Sequence, residues 1–137
     1  MMRGVRCTIF LLQLVLPALA FAANDKFTVE LNKAETADNR CWLTFVVENK
    51  TEAGLDSLKL DLVVFNRENR MQQRMTTELG PVRAAKTMVK TFATNSKCAD
   101  IRSILVNDVA ACTPGKPDAC LEGLGLSSLV EGLRLFK

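Results

Sequence analysis

Apolar and polar residues alternate along much of the chain with the two-residue period of a strand that is buried on one face. The clearest segment places Leu58, Leu60, Leu62 and Val64 on one face and then reaches a polar turn at Asn66. Comparable segments predict six strands, over residues 27–32, 41–47, 58–65, 71–79, 86–92 and 101–109. Short strands with turn residues between them and no long helical pattern predict an all-β fold, an immunoglobulin-like antiparallel β-sandwich of about seven strands.

The C-terminal tail fits two structures. Leu124, Leu126, Ser128 and Val130 alternate as a seventh strand would, while Leu126, Leu129, Val130 and Leu133 have helical spacing. Glycines at positions 123, 125 and 132 weaken a helix, so the strand is favoured.

The first 22 residues have the pattern of a secretory signal peptide. Arg3 and Arg6 precede an apolar run over residues 9–16, and Ala20-Phe21-Ala22 is a small-x-small cleavage pattern before Ala23. The run is shorter than the roughly 20 residues that span a bilayer. Removing 22 of 137 residues leaves a single domain, residues 23–137, with 16 basic and 15 acidic residues. This balance gives no support for nucleic-acid binding, and stable membrane insertion of the mature chain is not expected.

Four cysteines remain after cleavage: Cys41, Cys98, Cys112 and Cys120. An even number in an exported chain predicts disulfides, and no C-x-x-C spacing suggests a metal or redox site. The second and sixth strands run the same way in opposite sheets of such a sandwich, and Cys41 and Cys98 precede or open them. We therefore predict Cys41–Cys98 and Cys112–Cys120 pairs.

Few residues in the sequence are candidates for catalysis or metal binding. The chain has no histidine, which removes the usual general base and the commonest metal ligand, and no cofactor or metal site is predicted. Glu30, Asp61 and Asp108 would be the acids of a carboxylate-only enzyme, although solvated strand positions explain them better. Asn49-Lys50-Thr51 matches a glycosylation sequon and is interpreted as a turn.

The segment from residue 66 to residue 90 contains six basic residues and only two acidic ones, and this excess of positive charge would suit an anionic partner. Charges that keep edge strands from pairing with other chains explain them more simply. They are Arg67, Arg70, Arg74, Arg83, Lys86 and Lys90.

A possible interaction face follows from pairing the third strand with the sixth. A register with Leu62 opposite Leu105 also sets Val63 opposite Ile104, Lys59 against Asp108 and Phe65 near Arg102. The outer face would then carry four apolar residues: Val63, Phe65, Ile104 and Val106. We expect either the tail to fold over this face or another protein, or a second copy, to cover it.

The order of these features resembles a known group of proteins. A strand ending in Glu48-Asn49, an alternating strand closing at Phe65-Asn66, Gly80-Pro81, and Cys98 ahead of Leu105-Val106-Asn107-Asp108 carry the resemblance. The chain resembles a family of small exported α-proteobacterial proteins called signal-sequence domain proteins, and more loosely the FxLYD-type sandwich domains. The resemblance implies a periplasmic or secreted, non-catalytic binding or accessory module of the cell envelope. A purely structural subunit and the carboxylate-only enzyme are the alternatives.

Overall fold

The computed structural model describes residues 25–137, so the predicted signal peptide, residues 1–22, lies outside the described residues. Eight strands follow one another with short connections. They are β1 (Phe27–Ala37), β2 (Arg40–Asn49), β3 (Ser57–Asn66), β4 (Met71–Glu78), β5 (Thr87–Ala93), β6 (Ile101–Thr113), β7 (Leu124–Ser128) and β8 (Arg134–Phe136). A 3-10 turn at Cys98–Asp100 precedes β6, and helix α1 (Pro117–Glu122) precedes β7. None of the helices in this range is long and apolar enough to cross a membrane.

The strands form two sheets of four. The first sheet has the order β5-β2-β1-β7 and the second the order β4-β3-β6-β8. Pairings are antiparallel except that β7 runs parallel to β1 and β8 parallel to β6. The all-β sandwich is confirmed, and the tail is a strand over Leu124–Ser128. The sequence did not indicate β8, or that the tail would join both sheets.

The core lies between the sheets because alternate residues of each strand point inward. In β3 the inward residues are Leu58, Leu60, Leu62 and Val64, each at most 2% exposed. They meet inward residues of the first sheet, among them Val29, Leu31, Leu43, Phe45 and Val47. Burying each large apolar side chain contributes about 1.5–3 kcal/mol, so this alternation is what makes the two sheets pack.

Both predicted disulfides are present. Cys41, at the start of β2, joins Cys98 with a Cα–Cα distance of 4.7 Å, and Cys112 joins Cys120 across the β6–α1 connection at 6.5 Å. The Cys41–Cys98 bond links the sheets at the end that carries the β1–β2 and β3–β4 turns, which we call the upper end. Its cysteines are 57 positions apart in the sequence, so in the loop-closure model the bond stabilises the folded state by about 4 kcal/mol by lowering the entropy of the unfolded chain.

The lower end is organised around the buried side chain of Asn49, which is 1% exposed. Its amide nitrogen donates to the carbonyl oxygens of Ala53, at 2.8 Å, and Arg83, at 3.1 Å. Its amide oxygen accepts from the backbone amide and the hydroxyl of Thr51, at 2.9 and 2.8 Å. The side chain thus ties the β2–β3 connection to the β4–β5 connection. Asn49 is a structural residue, because both hydrogens of its amide nitrogen are engaged inside the fold.

Replacing Asn49 with alanine should lower the free energy of unfolding by about 2–4 kcal/mol, since the four hydrogen bonds of its buried side chain, which join the two connections, are lost. Urea unfolding followed by the fluorescence of Trp42, the single tryptophan, measures the change. Asn32→Ala is the matched control, because the exposed Asn32 side chain contacts only Glu30, at 3.0 Å. It should change stability by less than about 0.5 kcal/mol. Equal effects of the two substitutions would contradict the role given to Asn49.

Candidate functional site

The outer face of the second sheet carries an apolar strip where solvent-facing strands usually carry polar residues. Val63 of β3 lies opposite Leu105 of β6, and Leu105 lies opposite Phe136 of β8. Phe65, two residues beyond Val63, extends the strip toward the upper end. Val63 is 7% exposed, whereas the other three are half-buried. We call Val63, Phe65, Leu105 and Phe136 the outer strip.

The predicted interaction face was partly wrong. Val63 and Phe65 lie on the outer face, but Ile104 and Val106 point into the core and are 0% and 2% exposed. The pairing is displaced from the predicted register, so that Leu62 faces Val106 and Val63 faces Leu105. The predicted pairs of Lys59 with Asp108 and Leu62 with Leu105 are therefore wrong: Lys59 faces Ala111, and Asp61 faces Asp108.

Three one-residue bulges in β6 cause the displacement. Arg102 has no partner between the pairs Asn66–Ile101 and Phe65–Ser103, and this first bulge already displaces the pairs of Leu62 and Val63 by one residue. Ala110 is likewise left without a partner, between the pairs of Leu60 and Lys59. Between the pairs Asp61–Asp108 and Leu62–Val106, strand β6 has one additional residue, Asn107, with no partner in the register. The Asn107 side chain donates to the Asp61 carboxylate at 2.8 Å, which holds this bulge in place. Alternation of residue types carries no signal for an inserted residue, so a simple register could not anticipate it.

Of the two covers that the sequence allowed for the outer face, the tail is excluded, because it does not fold over this face. It passes along one side of the sandwich, where β7 adds to the first sheet and β8 to the second. Phe136 consequently becomes part of the outer strip instead of covering it. The sequence pattern places Phe136 only within the tail and carries no signal for its position on the face.

A groove of about 730 Å³ lies where the outer strip meets the upper end. It combines aromatic, aliphatic and small polar side chains with two arginines, Arg102 and Arg134. The lining residues contain no carboxylate. They are Phe65, Asn69, Arg102, Ser103, Ser128, Val130, Gly132, Leu133, Arg134, Leu135 and Phe136. The expected proximity of Phe65 and Arg102 is thus found in the groove, although Phe65 pairs with Ser103 in the sheet.

Local hydrogen bonds shape the wall of the groove. The Ser128 hydroxyl donates to the carbonyl of Leu133 at 2.7 Å and accepts from the amide of Val130 at 3.2 Å, which closes the β7–β8 turn. Arg67, in the β3–β4 turn, donates to the carbonyls of Ala99, at 2.7 Å, and Gly132, at 3.1 Å. Gly132 has φ +71°, a conformation that glycine adopts without strain. These contacts fix the turn that presents Val130 and Leu133 to the groove.

The predicted basic residues do not form one patch. Arg67 and Arg70 lie in the β3–β4 turn at the upper end, whereas Arg83 and Lys86 lie in the β4–β5 connection at the lower end. Arg74 is on β4, and Lys90 is on β5, where its ammonium group lies 3.4 Å from the carbonyl oxygen of Gly80. Strands β4 and β5 are edge strands of the two sheets, which agrees with the interpretation of these charges as edge protection.

Asp61 is the centre of a polar cluster on the outer face. Arg74 donates to both of its carboxylate oxygens, at 2.9 and 2.6 Å, and Asn107 donates to one of them. The hydrogen bond from Arg74 holds the pKa of Asp61 below its usual value against the opposing effect of partial burial. Asp108 lies opposite in the sheet and lines the same hollow of about 470 Å³, whereas Glu30 is on the first sheet.

Glu78 is a second carboxylate held ionised by the fold. Partial burial raises the pKa of Glu78, but hydrogen bonds from the hydroxyl of Ser57 and the amides of Leu58 and Gly80 outweigh it and leave the pKa below its usual value. Within residues 25–137, no group of three or more acidic or cysteine side chains is arranged to hold a metal ion.

The stability contributed by Asp61 should depend on pH in a defined direction. Because its pKa is lower in the folded state than the ordinary 3.8, the contribution is complete above that value and is lost as pH falls through the folded pKa. Between about pH 6 and pH 3, the free energy of unfolding of Asp61→Asn should therefore fall less than that of the parent protein. Urea titrations at the two pH values measure both changes.

The Arg74→Ala background is the control, since Arg74 is the main cause of the shift. In the Arg74→Ala background, Asp61→Asn should change the pH dependence of the free energy of unfolding much less than it does in the parent protein. If Asp61→Asn has the same effect on the pH dependence with and without Arg74, the ion pair is not the cause of the pH-dependent stability.

Comparison with known proteins gives one distant structural likeness. No protein-family model and no curated protein matches the chain. Among solved structures, the chain is similar to IrmA from Escherichia coli, with 12% sequence identity and a TM-score of 0.48, over 73% of this chain and 89% of that chain. A likeness this distant carries no statement about what the present chain binds or does.

Proposed function

We propose that the mature chain is a non-catalytic, exported binding or accessory module of the bacterial cell envelope, and that the outer face of the second sheet is its binding surface. The observation that carries the proposal is the outer strip, four apolar residues in a row on a sheet face, three of them still partly exposed. A sheet face of this composition is typical of a contact surface with another protein.

Three features support an envelope location. The two disulfides suit an oxidising compartment such as the periplasm. The first 22 residues have the signal-peptide pattern, and the resemblance to the α-proteobacterial family points to the same compartment. A partner in this setting would be another envelope protein or a second copy of the chain.

The carboxylate-only enzyme is the weaker alternative. Asp61 and Asp108 do face one another beside a hollow, which is the observation in its favour. The two bonds from Arg74 keep Asp61 ionised, however, so it could act only as a base or nucleophile, and both of its carboxylate oxygens are already engaged by Arg74. A purely structural subunit would use the same outer face, and would differ from an accessory module only in remaining permanently bound.

Site-specific photo-cross-linking in cells that export the full chain tests the proposed surface. A photoreactive phenylalanine analogue placed at Phe65 should give a discrete adduct of defined mass. The same analogue at Val89, which is 62% exposed on the first sheet, should not. Val89 lies on the opposite face and is more exposed than the half-buried Phe65, so random collisions would label it more readily, which makes it a stringent control.

A second substitution then tests whether the adduct depends on the strip. Leu105→Lys should abolish the adduct formed from position 65, because it places a charge at the centre of the apolar contact. Val46→Lys, on the outer face of the first sheet, should leave it intact. The proposed surface would be contradicted if positions 65 and 89 gave the same adducts, or if the adduct from position 65 still formed in the Leu105→Lys variant.

A further inference from the structure

We infer that the groove at the upper end of the outer strip recognises an extended peptide segment in which a carboxylate side chain stands beside an apolar side chain. The inference rests on the proposed binding function and specifies the chemistry of the partner. Three features carry it: the stacked pair Arg134 and Phe136, the positive charge of the groove, and the residues around the groove.

The floor of the groove brings an aromatic surface and a cation together. The guanidinium carbon of Arg134 lies 4.1 Å from the ring centroid of Phe136, so the cation stacks on the ring. In this arrangement the planar face of the guanidinium is covered while its N–H edge remains available for a carboxylate. Phe65 and Leu133 supply apolar surface in the same groove. An apolar side chain and a neighbouring carboxylate can therefore be bound at once.

The charge of the groove selects an acidic partner. Arg102 and Arg134 are its only charged lining residues. In the part of the chain that the structure describes, the ion pairs join Lys33 to Glu35 and Arg74 to Asp61, so neither groove arginine has a carboxylate within 4.0 Å. A carboxylate entering the groove would complement both arginines without displacing an internal partner.

The surroundings favour a peptide over an anionic membrane surface. Glu68, Asp100 and Glu131 lie in the connections at the same upper end and offset part of its basic charge, which weakens the long-range field there. Recognition must then act at short range, inside the groove. Met71, opposite Phe65 in the sheet, is 66% exposed and extends the apolar surface beyond the groove, along the path of a bound chain.

An amide-shift titration of the mature, oxidised chain tests the inference. The probe is the blocked peptide acetyl-Gly-Phe-Asp-Leu-Gly-amide at millimolar concentration, and its twin has Asn in place of Asp. The acidic peptide should shift the backbone amides around Ser103, Leu133 and Arg134 and bind about tenfold more tightly than the twin. The double variant Arg102→Gln with Arg134→Gln should abolish this tenfold preference.

Arg70→Gln is the control for a general field effect. Arg70 lies at the same end but does not line the groove, so its removal should leave the preference for the acidic peptide unchanged. If the double variant fails to fold, Arg134→Lys keeps the charge but removes the planar fork, and should reduce the preference on its own. An equal loss in Arg70→Gln would overturn the short-range recognition proposed here.

The remaining outcomes separate this inference from the proposed function. Equal binding of both peptides at the groove would refute the carboxylate preference while leaving the outer face as a binding surface. Absence of shifts at the groove with either peptide would refute the inference, whereas the cross-linking result at Phe65 would still decide the function. If the protein binds neither peptide but sediments with phosphatidylglycerol vesicles, the partner of the groove is an anionic membrane surface and the peptide inference is refuted.

Discussion

The pairing of β3 with β6 determines both faces of the second sheet. These are its two central strands, and three register shifts along them decide which side chains point inward. The stretch between the unpaired residues Arg102 and Asn107 points Ile104 and Val106 into the core and leaves Val63 and Leu105 together on the outer face. A β-strand has only two sides, so one inserted residue exchanges the set of residues on each of them. The core and the candidate binding surface thus depend on these local irregularities.

The two ends of the sandwich keep this pairing in place by different means. At the upper end, the Cys41–Cys98 bond joins the sheets covalently, and Arg67 links the β3–β4 turn to the segment before β6 and to the β7–β8 turn. At the lower end, Asn49 connects two loops through hydrogen bonds within the protein. The groove lies at the upper end, where its walls come from turns that are cross-linked or clamped. A peptide would therefore meet a largely preformed site, which reduces the entropy lost on binding.

Sequence patterns predicted the features that depend on local alternation. The strands, the sandwich and both disulfides follow from residue periodicity, turn residues and strand direction, and all are present. The outer face depends on pairing between distant segments, and there the sequence was a poorer guide. Val63 and Phe65 were found because they alternate within one strand. Leu105 was missed because of the bulges in β6, and Phe136 because its strand has only three residues.

Cross-strand contacts between backbone protons, measured by NMR on the mature oxidised chain, test the β3–β6 register most directly. The structure predicts that Val63 faces Leu105 and Leu60 faces Val109, with Asn107 left without a partner between the two pairs. Contacts from Leu62 to Leu105 and from Val63 to Ile104 would show an uninterrupted ladder. They would move Ile104 to the outer face and contradict the account of both the core and the groove.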